Sequence, residues 1–424
     1  MTEFSLPAGR IIPDPAIHED GAIPRGVPIG SAGVLALTER QSYRALKYPC
    51  LMELEHSASA NNVLHRPGGM GTSTFISCLR AYYDIAYSQI FERVFPVSIT
   101  RKEVPGHSSF AILDFDFSDI EFLPFSRIVS GAFAAFAAKY GMTDYTPGES
   151  DSIAVLFQDF LIACQKNRLS LPIYAIVESY DTFSYSDPFG RRTGSRIPMD
   201  TYRVFFTMLQ KAENLGIVAR IFASGIIPVC NTFAGQGITF NFRDISFASE
   251  FAGIVGFTEK DVEILVKEIF MSDRKQDISC SPEEFADTLV GQLDGYSFCP
   301  DTSIRIISPR TVLQCLNLLF TNVQNPFSDV KNSRFSRLLN AVKTDYSINI
   351  TRIDQDLRKN GFCFSGNNFN MGYEIETQKF IELLYFSGIL TIRNVENEYG
   401  KSPVINLRLA NAYVTELWQN AAGV

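Results

Sequence analysis

The stretch Leu64-His-Arg-Pro-Gly-Gly-Met-Gly-Thr-Ser-Thr-Phe75 decides how this chain is read. Ahead of it, Asn62-Val-Leu-His65 predicts a short strand. Behind it, Phe75-Ile-Ser-Cys-Leu-Arg-Ala-Tyr-Tyr83 repeats apolar residues at helical spacing and predicts a helix to about Tyr87. Strand, glycine turn and helix in that order form the layout of a phosphate-binding loop. Glycines let backbone N–H groups close around a phosphate, and the helix N-terminus adds a favourable dipole. The usual motif places a lysine, which reaches the β- and γ-phosphates, just before a hydroxyl that holds magnesium. Here Thr72 stands at the lysine position and Ser73 at the hydroxyl position. The candidate cofactor-binding residues are Arg66, Gly68, Gly69, Gly71, Thr72, Ser73 and Thr74. The structural alternative is a glycine turn kept only for close strand–helix packing.

Working outward, residues 1–30 form a Pro/Gly-rich arm without periodicity, and Leu35 to Leu54 has helical spacing interrupted by Pro49. After the loop, Ser109–Ser118 and Leu171–Asp181 predict buried strands ending in acids, and Ile217–Gly225 predicts a further strand. Helices are expected within Asp119–Tyr140 and over Ser150–Asn167 and Tyr202–Asn214. Alternating strands and helices predict an α/β fold: a P-loop NTPase-like parallel sheet over 31–250 with a Walker B strand and a sensor strand. Glu259–Met271, Pro282–Leu293 and Pro309–Thr321 predict a helical lid over 251–331. Helices at Phe335–Lys343, Ile350–Asn360 and Glu374–Ser387, a hairpin of Leu390–Asn394 with Val404–Leu409, and a last helix predict a C-terminal winged-helix-like α+β domain over 332–424.

The bulk properties narrow the function. A net charge of −8 opposes general nucleic-acid affinity, which needs a basic field. The eight cysteines lie singly, without a CxxC pair, several within apolar segments, as in a reducing compartment. The four histidines lack metal spacing. No leader or membrane-length apolar run is visible, so the expected location is intracellular, cytoplasmic or nuclear, with no membrane partner. Asp114, Asp116 and Asp119 are read as helix caps before paired catalytic carboxylates. Arg191, Arg192 and Arg196 are read as a solvated basic loop.

Several motifs in order resemble the AAA-ATPase-like family, whose members often carry a C-terminal PD-(D/E)xK nuclease-type domain. Its opening Pro-Ile-Gly and Tyr-rich lysine elements are similar to Val27-Pro-Ile-Gly30 and Tyr43-Arg-Ala-Leu-Lys47. Its loop Arg-Pro-Arg-Arg-Phe-Gly-Lys-Thr/Ser resembles Arg66–Ser73, and its Walker B Ile-Asp-Glu-Tyr-Asp resembles Val177-Glu-Ser-Tyr-Asp181. Its Gly-Phe-Thr-Glu signature stands intact at Gly256–Glu259. Gly295-Tyr-Ser-Phe298, Ser308-Pro309 and Leu383–Thr391 resemble later family elements. The resemblance runs from about residue 27 to 420, and the chain ends where the nuclease domain would begin.

The resemblance implies ATP and Mg²⁺ as cofactors, with Ser73 and Glu178 as the metal-holding pair. Glu178, Asp181 and Ser224 are the catalytic candidates, Ser224 and Arg220 lying near the sensor position. The departures are Thr72 for the Walker A lysine, Glu178 for the metal-positioning aspartate and Ser179 for the catalytic glutamate. They argue against efficient ATP hydrolysis. The expectation is a degenerate AAA-ATPase-like protein, a nucleotide-binding or non-catalytic scaffold that engages a protein partner or forms a homo-oligomer. One alternative is an active ATPase with an unorthodox Walker A site, in which Arg66 or a partner's basic residue replaces the lysine. Another is a nucleic-acid-binding module through the winged-helix-like domain, which the acidic hairpin tip (Glu396, Glu398) disfavours. A protein that uses no cofactor is the remaining reading.

Overall fold

Strands β1 (Asn61–His65), β2 (Ala111–Asp116), β3 (Ile173–Glu178), β4 (Val218–Gly225) and β5 (Arg243–Asp244) pair in parallel in the order β2-β3-β4-β1-β5. Strands β1 and β3 are buried at every position, as in a parallel sheet covered on both faces; β3 is apolar as far as Glu178, whereas β1 buries Asn61, Asn62 and His65 beside Val63 and Leu64. The register sets Leu64 beside Ser224, His65 beside Gly225, and Asp116 beside Glu178. The C-terminal ends of β1, β3 and β4 thus share one rim. The computed structural model describes residues 33–39, 47–57, 59–95, 106–120, 122–167, 170–182, 199–228, 242–271, 280–301, 303–319, 348–359, 362–365, 375–396 and 404–422.

Helices α1 (Val34–Glu39), α2 (Tyr48–His56), α3 (Thr72–Tyr83) and α4 (Phe91–Val94) are followed by α5 (Phe125–Lys139), α6 (Ile153–Lys166) and α7 (Met199–Asn214). The last three cover one sheet face through an aromatic core. Phe133 stacks on Phe160 at 4.2 Å, and Phe115 meets Phe205 edge-on at 5.0 Å. Helix α3 packs on the other face, with Phe75 6.1 Å from Phe222 and Tyr83 5.1 Å from Tyr174.

The lid holds α8 (Glu259–Met271), α9 (Pro282–Leu293) and α10 (Pro309–Leu319). Ser281 and Glu284 close a capping box at the start of α9. The C-terminal part runs α11 (Ile350–Lys359), β6 (Phe362–Ser365), α12 (Ile375–Phe386), β7 (Leu390–Glu396), β8 (Val404–Leu409) and α13 (Ala412–Ala422). Its antiparallel sheet has the order β6-β8-β7, an arrangement compatible with a winged helix. One apolar cluster extends from Phe75 and Ile76 of α3 through Leu265, Leu289 and Leu316 of the lid to Leu384 and Trp418. Polar contacts reinforce it: Asn411 Nδ2 donates to Leu293 O at 2.9 Å and Tyr296 OH donates to Gly388 O at 3.1 Å.

The α/β class with a lid and a C-terminal α+β part is therefore the observed fold. The details differ in four places. Helix α3 stops at Tyr83, not Tyr87, because Asp84 turns extended and starts a 3-10 segment, Ile85–Ile90. Asp84 is fully buried, accepts from Ala86 N and Tyr140 OH, and pairs with Lys139. Pro49 opens α2 instead of interrupting a longer helix, since the first turn needs no proline N–H. Strands β5 and β6 were not expected; two and four residues are too few to show a period. The arm over 1–30, the basic loop with Arg191, Arg192 and Arg196, and the helix expected at Phe335–Lys343 lie outside the described residues.

Burial pushes the Cys50 thiol up to about 11 and those of Cys164 and Cys315 up to about 12, which leaves them unreactive at neutral pH. Among the described residues, no helix is long and apolar enough to cross a membrane.

The chain's single tryptophan, Trp418, is fully buried, and its Nε1 donates to Asp354 Oδ1 at 2.9 Å. Arg358 Nε donates to the other oxygen at 2.7 Å. Trp418→Phe removes one donor from a buried carboxylate. It should lower the unfolding free energy by about 1–3 kcal/mol, measured by urea denaturation followed by circular dichroism.

Candidate phosphate-binding site

Strand β1 delivers the loop, and Arg66 N donates to Gly225 O at 3.1 Å to fix where it leaves the sheet. Gly69 and Gly71 have φ of +92° and +90°, a left-handed conformation that glycine adopts without a Cβ penalty. Gly71 is the N-cap of α3, and the first helical bond is Phe75 N to Gly71 O at 3.0 Å. The N–H groups of Thr72, Ser73 and Thr74 therefore have no acceptor within the helix. Gly68 and Ser73 are exposed, and Thr72 and Thr74 are half-buried.

The loop's carbonyls face the lid. Gly69 O accepts from Arg310 N and from Ser308 Oγ, each at 3.2 Å, and Met70 O accepts from Gly256 N at 2.8 Å. A Cβ on Gly69 would stand 3.0 Å from Arg310 Cβ and 3.1 Å from its Cδ. The stem of Arg310, an exposed residue at the start of α10, thus lies along the loop. Pro67 meets the C-terminal part in the same way: a Cβ on Gly388 would stand 2.9 Å from Pro67 Cβ.

Arg66 does not take the expected place. It is 2% exposed, and its guanidinium donates to the carbonyls of His65, Ser246 and Phe251 at 2.9, 2.7 and 3.3 Å. It also lies 4.6 Å from the centre of the Phe298 ring. Burial pushes its pKa down to about 10, still charged at neutral pH. Its charge is satisfied by carbonyl oxygens and an aromatic face inside the protein, so it is unavailable as a substitute for the lysine.

Glu178 is also engaged. Arg80, on α3, bridges it to Asp114: Arg80 Nη2 donates to Glu178 Oε2 at 3.0 Å and to Asp114 Oδ1 at 2.7 Å, and Nε lies 2.6 Å from Asp114 Oδ2. Burial raises the Asp114 carboxyl even with Arg80 beside it. Burial alone would lower the Arg80 guanidinium, but the two carboxylates outweigh burial and raise it. Arg80 lies seven residues beyond Ser73, about 10 Å along the helix axis. The carboxylate expected beside Ser73 is thus already tied to a cation, Arg80. These residues do not fit a magnesium site.

The remaining candidates have structural partners. Asp181 is 1% exposed, and its Oδ2 accepts from Ile226 N at 2.8 Å and Ile227 N at 2.6 Å, holding the turn after β4. Ser224 is buried in β4 beside Leu64, and its carbonyl accepts from Tyr180 N at 3.2 Å. Ser179 has φ of +56°, and Thr182 donates to its carbonyl through N and Oγ1 at 3.1 and 2.8 Å. Arg220 lies in the first half of β4, away from the loop rim, and pairs with Glu55 of α2. Asp116 accepts from Ser118 N at 2.9 Å, and α5 is capped at Pro124 with no side-chain bond, so the three aspartates do not cap that helix.

Sequence reasoning missed Arg80 and Arg310. A lone cation amid the buried residues of α3 was the signal for the first. Nothing local marks the second, which reaches the loop only through the lid. It also missed the root of the loop. His65 Nε2 meets Tyr180 OH at 2.7 Å, its Nδ1 meets Ser246 Oγ at 3.0 Å, and Asp244 Oδ2 lies 3.5 Å from Nδ1.

Residues 36–233 match the AAA-ATPase-like family model, described as a predicted AAA-ATPase, so the resemblance carried by the motifs holds over that segment. No curated protein matches the chain. Among solved structures, the chain is similar to the Walker-type ATPase PABY2304 of Pyrococcus abyssi. That match has 10% identity and a TM-score of 0.44, over 90% of this chain and 97% of that one. It is also similar to the ORC2 protein of Aeropyrum pernix, solved in ADPNP–ADP complexes. There the identity is 10% and the TM-score 0.32, over 96% of this chain and 98% of that one.

Burial alone would raise the Asp244 carboxyl, but its contacts with His65 and Ser246 outweigh burial and hold it below the usual 3.8. A carboxyl lowered on folding stabilises the protein above its unfolded-state value and loses that contribution as pH falls through the folded-state value. Asp244→Asn should therefore flatten the loss of stability below about pH 4, measured by denaturant midpoints over a pH series.

Proposed function

We propose that this chain, whose residues 36–233 match the AAA-ATPase-like family, binds the phosphates of ATP at the loop over 66–74, turns it over poorly if at all, and serves as a scaffold for a protein partner. One observation carries the reading: the phosphate-facing backbone is kept while the charges for turnover are replaced. Gly69 and Gly71 keep the left-handed turns, and Ser73 is exposed at the first turn of α3. The residues at the lysine and glutamate positions are Thr72 and Ser179. Phosphoryl transfer is catalysed by positioned positive charge and an oriented water, so a loop without either binds better than it reacts.

Arg310 supports the binding half. It is exposed, and its stem lies against Gly69. A guanidinium there supplies to the phosphates the charge that Thr72 lacks, from the lid instead of from the loop. The scaffold half rests on the lid and C-terminal part, which share one core with α3.

The test is a titration of the full chain with fluorescently labelled ATP, alongside a phosphate-release assay. Binding is expected, with no release above the rate of free ATP. Gly71→Glu should abolish binding, because it puts a strained side chain and a negative charge into the loop. Arg310→Ala should weaken it by about ten- to a hundredfold, the size of a hydrogen bond to a charged group. No binding at saturating ATP, or rapid release, sinks the reading.

A further inference from the structure

We propose that this site takes its nucleotide as the free anion and not as a magnesium chelate, because Arg80 already fills the cation's place between Asp114 and Glu178. The ligand rests on the reading of the loop given above; the exclusion of the metal rests on the ion triad alone.

The triad follows from the fold. Parallel pairing sets Glu178 beside Asp116, and Asp114 lies two residues back, so all three share the sheet face on which α3 packs. Arg80 is aimed at that face: its Nη2 donates to Asp114 Oδ1 and to Glu178 Oε2, and its Nε lies within ion-pair distance of Asp114 Oδ2. The Glu178 side chain is 9% exposed and that of Arg80 25%, so solvent and salt screen the pair little.

Magnesium requires near-octahedral oxygen ligands and gives up its waters reluctantly. To recruit Glu178 it would have to break the bond to Arg80 and leave a largely buried guanidinium beside a dication. A guanidinium needs no dehydration step and cannot dissociate. The neighbouring positions agree with a metal-free site. Ser179 offers no second carboxylate at the end of β3, and Arg310 brings positive charge to the loop. An aspartate at position 178 would be one methylene shorter, so the longer glutamate suits a carboxylate that must reach a guanidinium.

The deciding experiment titrates Mn²⁺, without nucleotide, into the full chain and reads bound metal by electron paramagnetic resonance. The wild type should bind no stoichiometric Mn²⁺. Arg80→Met frees two carboxylates and should gain one bound ion, which a further Glu178→Gln removes. Arg80→Lys keeps the charge and should stay blind to the metal, which preserves a variant arm if Arg80→Met does not fold. In parallel, the affinity of wild type for labelled ATP should stay within about twofold between excess Mg²⁺ and EDTA. One Mn²⁺ on wild type that Glu178→Gln abolishes overturns the proposal. So does a folded Arg80→Met that binds none, or an ATP affinity that falls about tenfold or more on chelation. If ATP binds in neither condition, the nucleotide reading fails, and the nucleotide-free titration still judges the triad.

Discussion

At Gly69 two backbones come within hydrogen-bonding distance, the loop's carbonyl accepting from Arg310 N and from the Ser308 hydroxyl. This contact leaves no room for a side chain. A Cβ at Gly69 would meet the Arg310 stem at 3.0 Å, and φ of +92° would strain any other residue. The start of α10 can therefore sit on the loop only while that position stays bare. The bond from Gly256 N to Met70 O and the packing of Gly388 on Pro67 repeat the device from two other parts of the chain. Because the loop is clamped through its backbone, its shape depends on the glycines and not on the side chain at position 72. The loop thus keeps this shape with Thr72 at the lysine position.

Three arginines around this rim divide the positive charge differently. Arg66 is directed inward, satisfied by three carbonyls and the face of Phe298. Arg80 is held by two carboxylates under the sheet's rim. Arg310 is exposed at the loop itself. Only the last is placed to meet an anion arriving from solvent. The first two show why counting basic residues near a motif misleads. A guanidinium buried among acceptors stabilises the scaffold, and removing it leaves those acceptors unmatched. Neither contributes charge to a ligand.

Much of the fold was legible because its signals are local. The runs Ile173–Val177 and Phe110–Phe115, the glycine turn and the helical periods of α8 and α9 each announce their element within a dozen residues. Strands β5 and β6 were not legible, being too short to hold a period. The candidate site was legible as a backbone and illegible as a set of partners. Whether Glu178 faces a metal or a guanidinium depends on the register of β2 on β3 and on which face of α3 they meet. Asp181 looks like a second acid in sequence, yet it holds the turn after β4, a segment 45 residues away. Arg310 is distant from the loop in sequence and reaches it through the lid. Side-chain roles of this kind are set by topology, which one sequence does not display residue by residue.

The contact between Pro67 and Gly388 has a mechanical meaning. At the root of the loop the Pro67 ring packs directly on Gly388, in the turn between α12 and β7, and Tyr296 of the lid binds the carbonyl of that same glycine. A displacement of either side cannot be absorbed by rotamer changes and must move the other. Coupling of this sort is reciprocal in free energy: whatever an occupant of the loop does to the C-terminal part, an object gripping the C-terminal part does equally to the occupant. The joint therefore links the loop and the C-terminal part with no preferred direction of command.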